Sequence, residues 1–231
     1  MKKNKKAIIG LCIVVSYFIF SYCQLFPLEL LNIDYTKMSL TNRVIYLLVT
    51  ELIYLLILFL IYRKRFIEDF RDFKSNFKPY IKKYMEYWAL SFALMLISNF
   101  IIVSLFPNSI ATNQEIVNNT IMIAPIYMII ASVFFAPFLE ETIFRLAFRQ
   151  IFKNDILFII MSGLIFGGLH VISSYTKYTN PINLIYIIPY SIPGFIFAYT
   201  LVRSKNIFVP MGLHFFHNAI MITVQIVLLF I

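Results

Sequence analysis

Long uninterrupted apolar runs constrain this chain more than any other feature. Seven stretches, Ala7–Leu25, Val44–Tyr62, Tyr87–Phe106, Ile121–Phe152, Ile156–Ile172, Ile182–Val202 and Ile207–Ile231, carry few charges. A helix of about 20 such residues crosses the hydrocarbon core of a bilayer. The runs are continuously apolar, whereas strands of a membrane barrel alternate lipid-facing and lumen-facing residues. The expected fold is therefore all-α: a polytopic transmembrane helical bundle of about seven spans. The fourth run is long enough to tilt or to leave the bilayer at one end. Composition excludes the soluble alternative, because 61% of residues are hydrophobic and only 13% are charged. Soluble domains carry about 25% charge.

Loop charges set the expected orientation. The N-terminus holds Lys2, Lys3, Lys5 and Lys6, the segment 63–86 holds eight Lys and Arg, and Arg149, Lys153, Arg203 and Lys205 follow spans four and six. The intervening loops are poor in bases: Glu115 has none beside it, and 173–181 has only Lys177. Basic loops face the cytoplasm, so the N-terminus is expected inside, with the first helix uncleaved and Cys12 and Cys23 unpaired within it. The same alternation explains the net charge of +9 without a nucleic-acid partner. Residues 63–86 interleave bases, acids and aromatics, as an amphipathic helix on the inner membrane surface or a solvated loop would. No repeat, low-complexity tract or soluble domain is visible. High Ile, Phe, Tyr, Asn and Lys content fits a genome rich in A and T, as in many Gram-positive bacteria. The expected location is the bacterial cytoplasmic membrane, with lipids as the surrounding partner.

Ionisable groups at membrane depth are costly and are functional candidates by default. They are Glu51, Glu140, Glu141, Arg145, His170, His214 and His217, which include every histidine of the chain. Glu141 and Arg145 are four apart and can pair on one helical face; His214 and Asn218 likewise point the same way. At about 1.5 Å of rise per residue, Glu140, His170 and Asn218 lie roughly 20 Å from the basic end, and His214 about 13 Å. Gly163, Gly167 and Gly168 suit the close approach of a second helix to the His170 span, and Pro189, Pro193 and Gly194 suit a kink in span six. A glutamate and a histidine can hold and deprotonate a water, and a second histidine with an asparagine can donate to an oxyanion. The same groups could instead bind a divalent metal that activates the water. Glu51 and His217 read as structural groups.

Three motifs resemble the CPBP family of CAAX prenyl endopeptidases and bacteriocin-processing or immunity proteins, also called the ABI family. They are Glu140-Glu141-x-x-x-Arg145, preceded by Ala136-Pro137; Phe166-x-x-x-His170; and His214-x-x-x-Asn218. Each alone is weak, but the three fall in family order, each on a span, over roughly residues 120–220. The resemblance implies an intramembrane endopeptidase reached from the cytoplasmic side, acting on a peptide or membrane-protein substrate. Residues 120–231 would form the catalytic core of four spans, and 1–119 three further membrane helices with the basic loop 63–86. It also implies that Glu140 activates water with His170, and that His214 and Asn218 form the oxyanion site. Glu141 and Arg145 would orient the site and Phe166 would shape it. Cofactor use stays open between none and a divalent metal such as zinc, which would sit on Glu140, His170 and His214. A non-catalytic immunity or scaffolding protein is the alternative reading. A transporter would be expected to show an internal repeat, and none is found.

Overall fold

The computed structural model describes residues 2–172 and 180–231. Lys177 and most of the loop expected at 173–181 lie outside the described residues. The chain forms α1 (Lys2–Cys23), α2 (Phe26–Leu30), α3 (Leu40–Ser75), α4 (Phe77–Leu105) and α5 (Thr112–Ile123). These are followed by α6 (Pro125–Ile151), α7 (Asp155–Ile172), α8 (Ile187–Ser204) and α9 (Phe208–Phe230). No strand occurs among the described residues, and seven of their helical stretches are long and apolar enough to cross a membrane. Leu60, Phe100, Ile156 and Leu228 point outward and are each more than half exposed. Exposed apolar patches of that extent mark an interaction surface, here a lipid-facing one, while the charged and polar groups of the span centres turn inward.

Local signals account for the helix ends. Ser39 accepts from the Asn42 amide and starts α3, and Asn154 accepts from the Leu157 amide to start α7. Both are N-cap bonds that satisfy an otherwise orphan amide. Pro125 opens α6, where its missing N–H costs nothing. Lys205, at φ 58°, ends α8 in the left-handed conformation. Cys12 and Cys23 are free and exposed on the outward face of α1.

The basic segment 63–86 is neither a separate surface helix nor a solvated loop. Residues 63–75 continue α3 without a break, and 77–86 are the first turns of α4. This extension is fastened across the fold. The Asp69 carboxylate accepts the Ile207 amide at the start of α9, and the Asp69 carbonyl accepts from Asn206 Nδ2. A carboxylate at a helix N-terminus meets its unpaired amides and its positive dipole end, which is why Asp69 is buried although charged.

Close helix contacts form where the sequence offers glycine. A side chain at Gly163 would overlap the Phe195 ring, and one at Gly167 would overlap Ser191, including its backbone nitrogen at 2.6 Å. These two glycines let α7 lie directly on α8. Gly168 plays no such part, since a Cβ there would meet nothing nearer than 3.8 Å. Pro193 sits inside α8, which continues through it to Ser204.

Candidate active site

α6 departs twice from α-helical geometry. Residues Ile130–Phe135 and Thr142–Ala147 are π-helical turns, and the α-helical turn Ala136–Glu141 between them carries both glutamates. Short π segments inside α-helices recur at functional sites because they re-aim side chains. In the first π turn the Ala136 amide donates to the Ala131 carbonyl, five residues back. The next bond of that series would need an amide at position 137, which proline lacks. Asn218 Nδ2, on α9, donates to the Ser132 carbonyl in its place at 2.7 Å. The Ala136-Pro137 pair and Asn218 are thus two halves of one structural device.

The two adjacent glutamates point to different places. Glu141 and Arg145 are both 0% exposed, with Arg145 Nε 3.1 Å from Glu141 Oε2. The other Glu141 oxygen, Oε1, accepts from His214 Nδ1 at 2.9 Å. A carboxylate only accepts, so that nitrogen carries a proton. The Arg145 guanidinium makes no aligned hydrogen bond and lies over the Phe166 ring at 4.8 Å and the Phe197 ring at 5.8 Å. Both distances suit a cation–π contact. Glu140 turns to the cavity, where its Oε2 is buried without a hydrogen-bond partner and stands 3.8 Å from His214 Nε2.

His170 is oriented in a similar way. Its Nδ1 lies 2.9 Å from the Phe166 carbonyl, one turn back on α7. A carbonyl also only accepts, so Nδ1 holds the proton and a neutral ring keeps Nε2 as a bare acceptor. The ring stacks on Tyr190 with centroids 5.3 Å apart, and lies 4.6 Å from that of Phe166. His214 stacks on Phe197 at 5.0 Å. Phe166 also lies 5.7 Å from the His214 ring, so it packs against Arg145, His170 and His214 together.

Glu140, Phe166, His170, His214 and Asn218 line one cavity of about 260 Å³. The structure thus brings together the water-activating and oxyanion candidates and sets Glu141 and Arg145 immediately behind them. The lining runs on to Asn113 and Gln114 of α5 and to Gln225 of α9. This is the end opposite the 63–86 hairpin, whereas the resemblance implies access from the basic side. Gln225 Nε2 donates to Gln114 Oε1, and Gln225 Oε1 is buried without a donor. Sequence reasoning missed Tyr190, Phe197, Ser132 and this amide pair. An aromatic or amide residue in or beside an apolar span carries no signal that singles it out.

His217 is buried between Phe92 and Phe197 with Nδ1 unpartnered, and it lines the same cavity. Glu51 accepts from the Tyr127 hydroxyl at 3.2 Å, a partner on another helix. Among the described residues, no three His, Cys, Asp or Glu side chains are grouped so as to hold a metal ion. Glu140, His170 and His214, the set named for a zinc, do not make such a group, although the Nδ1 bonds of both histidines leave Nε2 as the nitrogen that could face an ion.

Residues 122–220 match the family model described as type II CAAX prenyl endopeptidase Rce1-like. The resemblance read from the three motifs is borne out over that segment, which contains every candidate residue named in them. One relative, from Bacillus subtilis (strain 168), bears the name "Putative membrane peptidase YdiL" and is 28% identical over 117 residues, 49% of this chain and 43% of the relative. An "Uncharacterized protein" of Mycoplasma capricolum subsp. capricolum is 37% identical over 110 residues, 46% of this chain and 30% of that protein. The chain spans less than half the length of these curated relatives. No solved structure matches. Seven apolar helices and this family match together make the chain a multi-pass membrane protein.

Proposed function

We propose that this protein is an intramembrane endopeptidase that hydrolyses a peptide bond in a membrane-associated peptide or protein, using Glu140 as base in a metal-free mechanism. The observation that carries the reading is the Glu140 carboxylate: its Oε2 is buried without any partner and faces a cavity shared with His170, His214 and Asn218. A buried unpaired carboxylate oxygen is expensive and is the natural seat for a water. In this scheme the water sits between Glu140 and the bare His170 Nε2. Glu140 takes its proton as the oxygen adds to the scissile carbonyl carbon. The resulting oxyanion accepts from the second Asn218 N–H and from His214, which the scheme requires to carry a proton on Nε2 as well as on Nδ1. Glu140 then passes its proton to the departing amine as the C–N bond breaks. Glu141 holds His214 in position from behind, and Arg145 balances Glu141.

The cavity volume lies just below the usual range of about 300–1,000 Å³ for small-molecule pockets. That space suits a short extended segment of peptide, with the rest of the substrate remaining in lipid. The N-terminus is proposed to face the cytoplasm, and the membrane to be the bacterial cytoplasmic one.

The test is peptide processing by the protein purified in detergent, with wild type, Glu140→Gln and His170→Gln compared, each with and without chelator. Processing that survives chelation and disappears in both variants supports the reading. Processing lost on chelation and restored by zinc would place water activation on a metal. Full activity in Glu140→Gln would end the proposal.

A further inference from the structure

At the basic end of the bundle lies a second, larger cavity of about 820 Å³, separate from the candidate active site and sharing no lining residue with it. The N-terminal part of α1, the extension of α3, the end of α6 and the end of α8 converge there. Six cationic side chains line it: Lys6, Lys64, Arg65, Arg149, Lys153 and Lys205. Only two carboxylates, Glu68 and Asp155, stand among them.

The two arginines are fixed in place. Arg149 is paired with Asp155 and donates to the Phe152 and Lys153 carbonyls. Arg65 pairs with Asp69 at 2.8 Å and donates to the Lys205 carbonyl. Asp155 is therefore already engaged, and Glu68 meets Lys64 only at 3.9 Å on the surface. Both arginines are thus balanced by aspartates, and Lys6 and Lys205 add positive charge at the mouth. Below it the walls become apolar, with Leu146, Leu201 and Val202 on the lining. Ile9 and Ile61 carry that wall onto the outward faces of α1 and α3, at 38% and 51% exposure. The cleft is thus cationic at one end and opens sideways onto the lipid-facing surface at the other. Gln150 adds a polar requirement. Its Nε2 donates to the Tyr62 hydroxyl, while its Oε1 is buried without a donor.

We propose that this cleft is a binding site for one anionic phospholipid. The phosphate would lie among the bases, an acyl chain along the Ile9–Ile61 wall, and a headgroup hydroxyl would donate to Gln150 Oε1. Basic pockets between membrane helices suit anionic headgroups because each nearby Lys or Arg adds attraction while the chain stays in apolar surroundings. A soluble anion would use the cationic half alone and leave the apolar wall unmatched.

The test uses the full chain in a zwitterionic detergent, titrated with phosphatidylglycerol, phosphatidylcholine or free glycerol 3-phosphate, with lipid retention read by native mass spectrometry. One phosphatidylglycerol is expected to be retained, and neither phosphatidylcholine nor glycerol 3-phosphate. Lys6→Gln/Lys64→Gln/Lys205→Gln is expected to weaken retention at least tenfold. Lys74→Gln/Lys78→Gln/Lys82→Gln, which removes the same charge outside the cleft, is expected to leave it within twofold. If the cleft triple does not fold, Lys64→Gln alone, at a side chain 91% exposed, is expected to weaken retention about threefold. Equal loss in both triples, equal retention of phosphatidylcholine, or binding of glycerol 3-phosphate as tight as that of the lipid would each overturn the proposal.

Discussion

Asn218 donates its side-chain amide to the Ser132 carbonyl at 2.7 Å, filling a position that Pro137 leaves without an amide. The bond fixes Nδ2 of Asn218 against α6 and leaves one further N–H for the cavity. Asn218 therefore carries two roles that substitution can separate. Asn218→Ala should cost about 1–3 kcal/mol, the penalty of a buried carbonyl left unpaired. In a Pro137→Ala background the restored backbone amide should absorb most of that cost, while peptide processing stays lost. Thermal unfolding in detergent with a processing assay on the four proteins checks both. A stability cost unchanged by Pro137→Ala would mean that the π turn leaves no carbonyl for the amide to fill.

The buried ion pair answers differently to single and double substitution. Glu141→Gln or Arg145→Met alone leaves one charge buried without its partner and should destabilise by about 3–5 kcal/mol. The double variant removes both charges and should recover part of the loss. It should still be inactive, because His214 has lost the carboxylate that holds Nδ1. Folded yield and unfolding temperature report the first effect, and processing the second.

Two neighbouring glycines on α7 should behave in opposite ways. Gly167→Ala forces a Cβ against the Ser191 backbone, which no side-chain rotation relieves, and should cost about 1–3 kcal/mol. Gly168→Ala meets only ordinary van der Waals contact with Ile172 and should be neutral, or gain up to about 1 kcal/mol from helix propensity. Similar unfolding temperatures for the two variants would contradict the α7–α8 packing.

His170 offers a test of the bare nitrogen. His170→Asn can still donate to the Phe166 carbonyl from the position of Nδ1, but it has nothing at the place of Nε2. Its stability should stay within about 1 kcal/mol of wild type, the worth of a typical hydrogen bond. Its processing rate should fall by about 10²–10⁴, the usual contribution of a positioned acid–base group. Near-normal processing would remove His170 from the chemistry.

The parts of this protein that the sequence discloses are those written in periodicity and in spacing along one helix. Apolar runs disclosed the spans, and the four-residue spacing disclosed Glu141 with Arg145. The extension of α3 to Ser75 was hidden because hydrophobicity marks where lipid is, not where helical hydrogen bonding stops. Its anchor, Asp69 on the Ile207 amide, joins positions 138 apart. The contact between Glu141 and His214 was equally out of reach, since the residues lie 73 apart and their spans have no inherent register. Asn218 could be found by its motif, but its partner is a backbone carbonyl, which no residue type announces.

The Asp69 cap has a mechanical meaning. α9 begins where α3 holds it, and His214 follows Ile207 by seven residues, about 10 Å along a stiff rod. The Asp69 cap therefore sets where along the bundle axis the histidine stands, so the end of α3 and the floor of the cavity share one reference point.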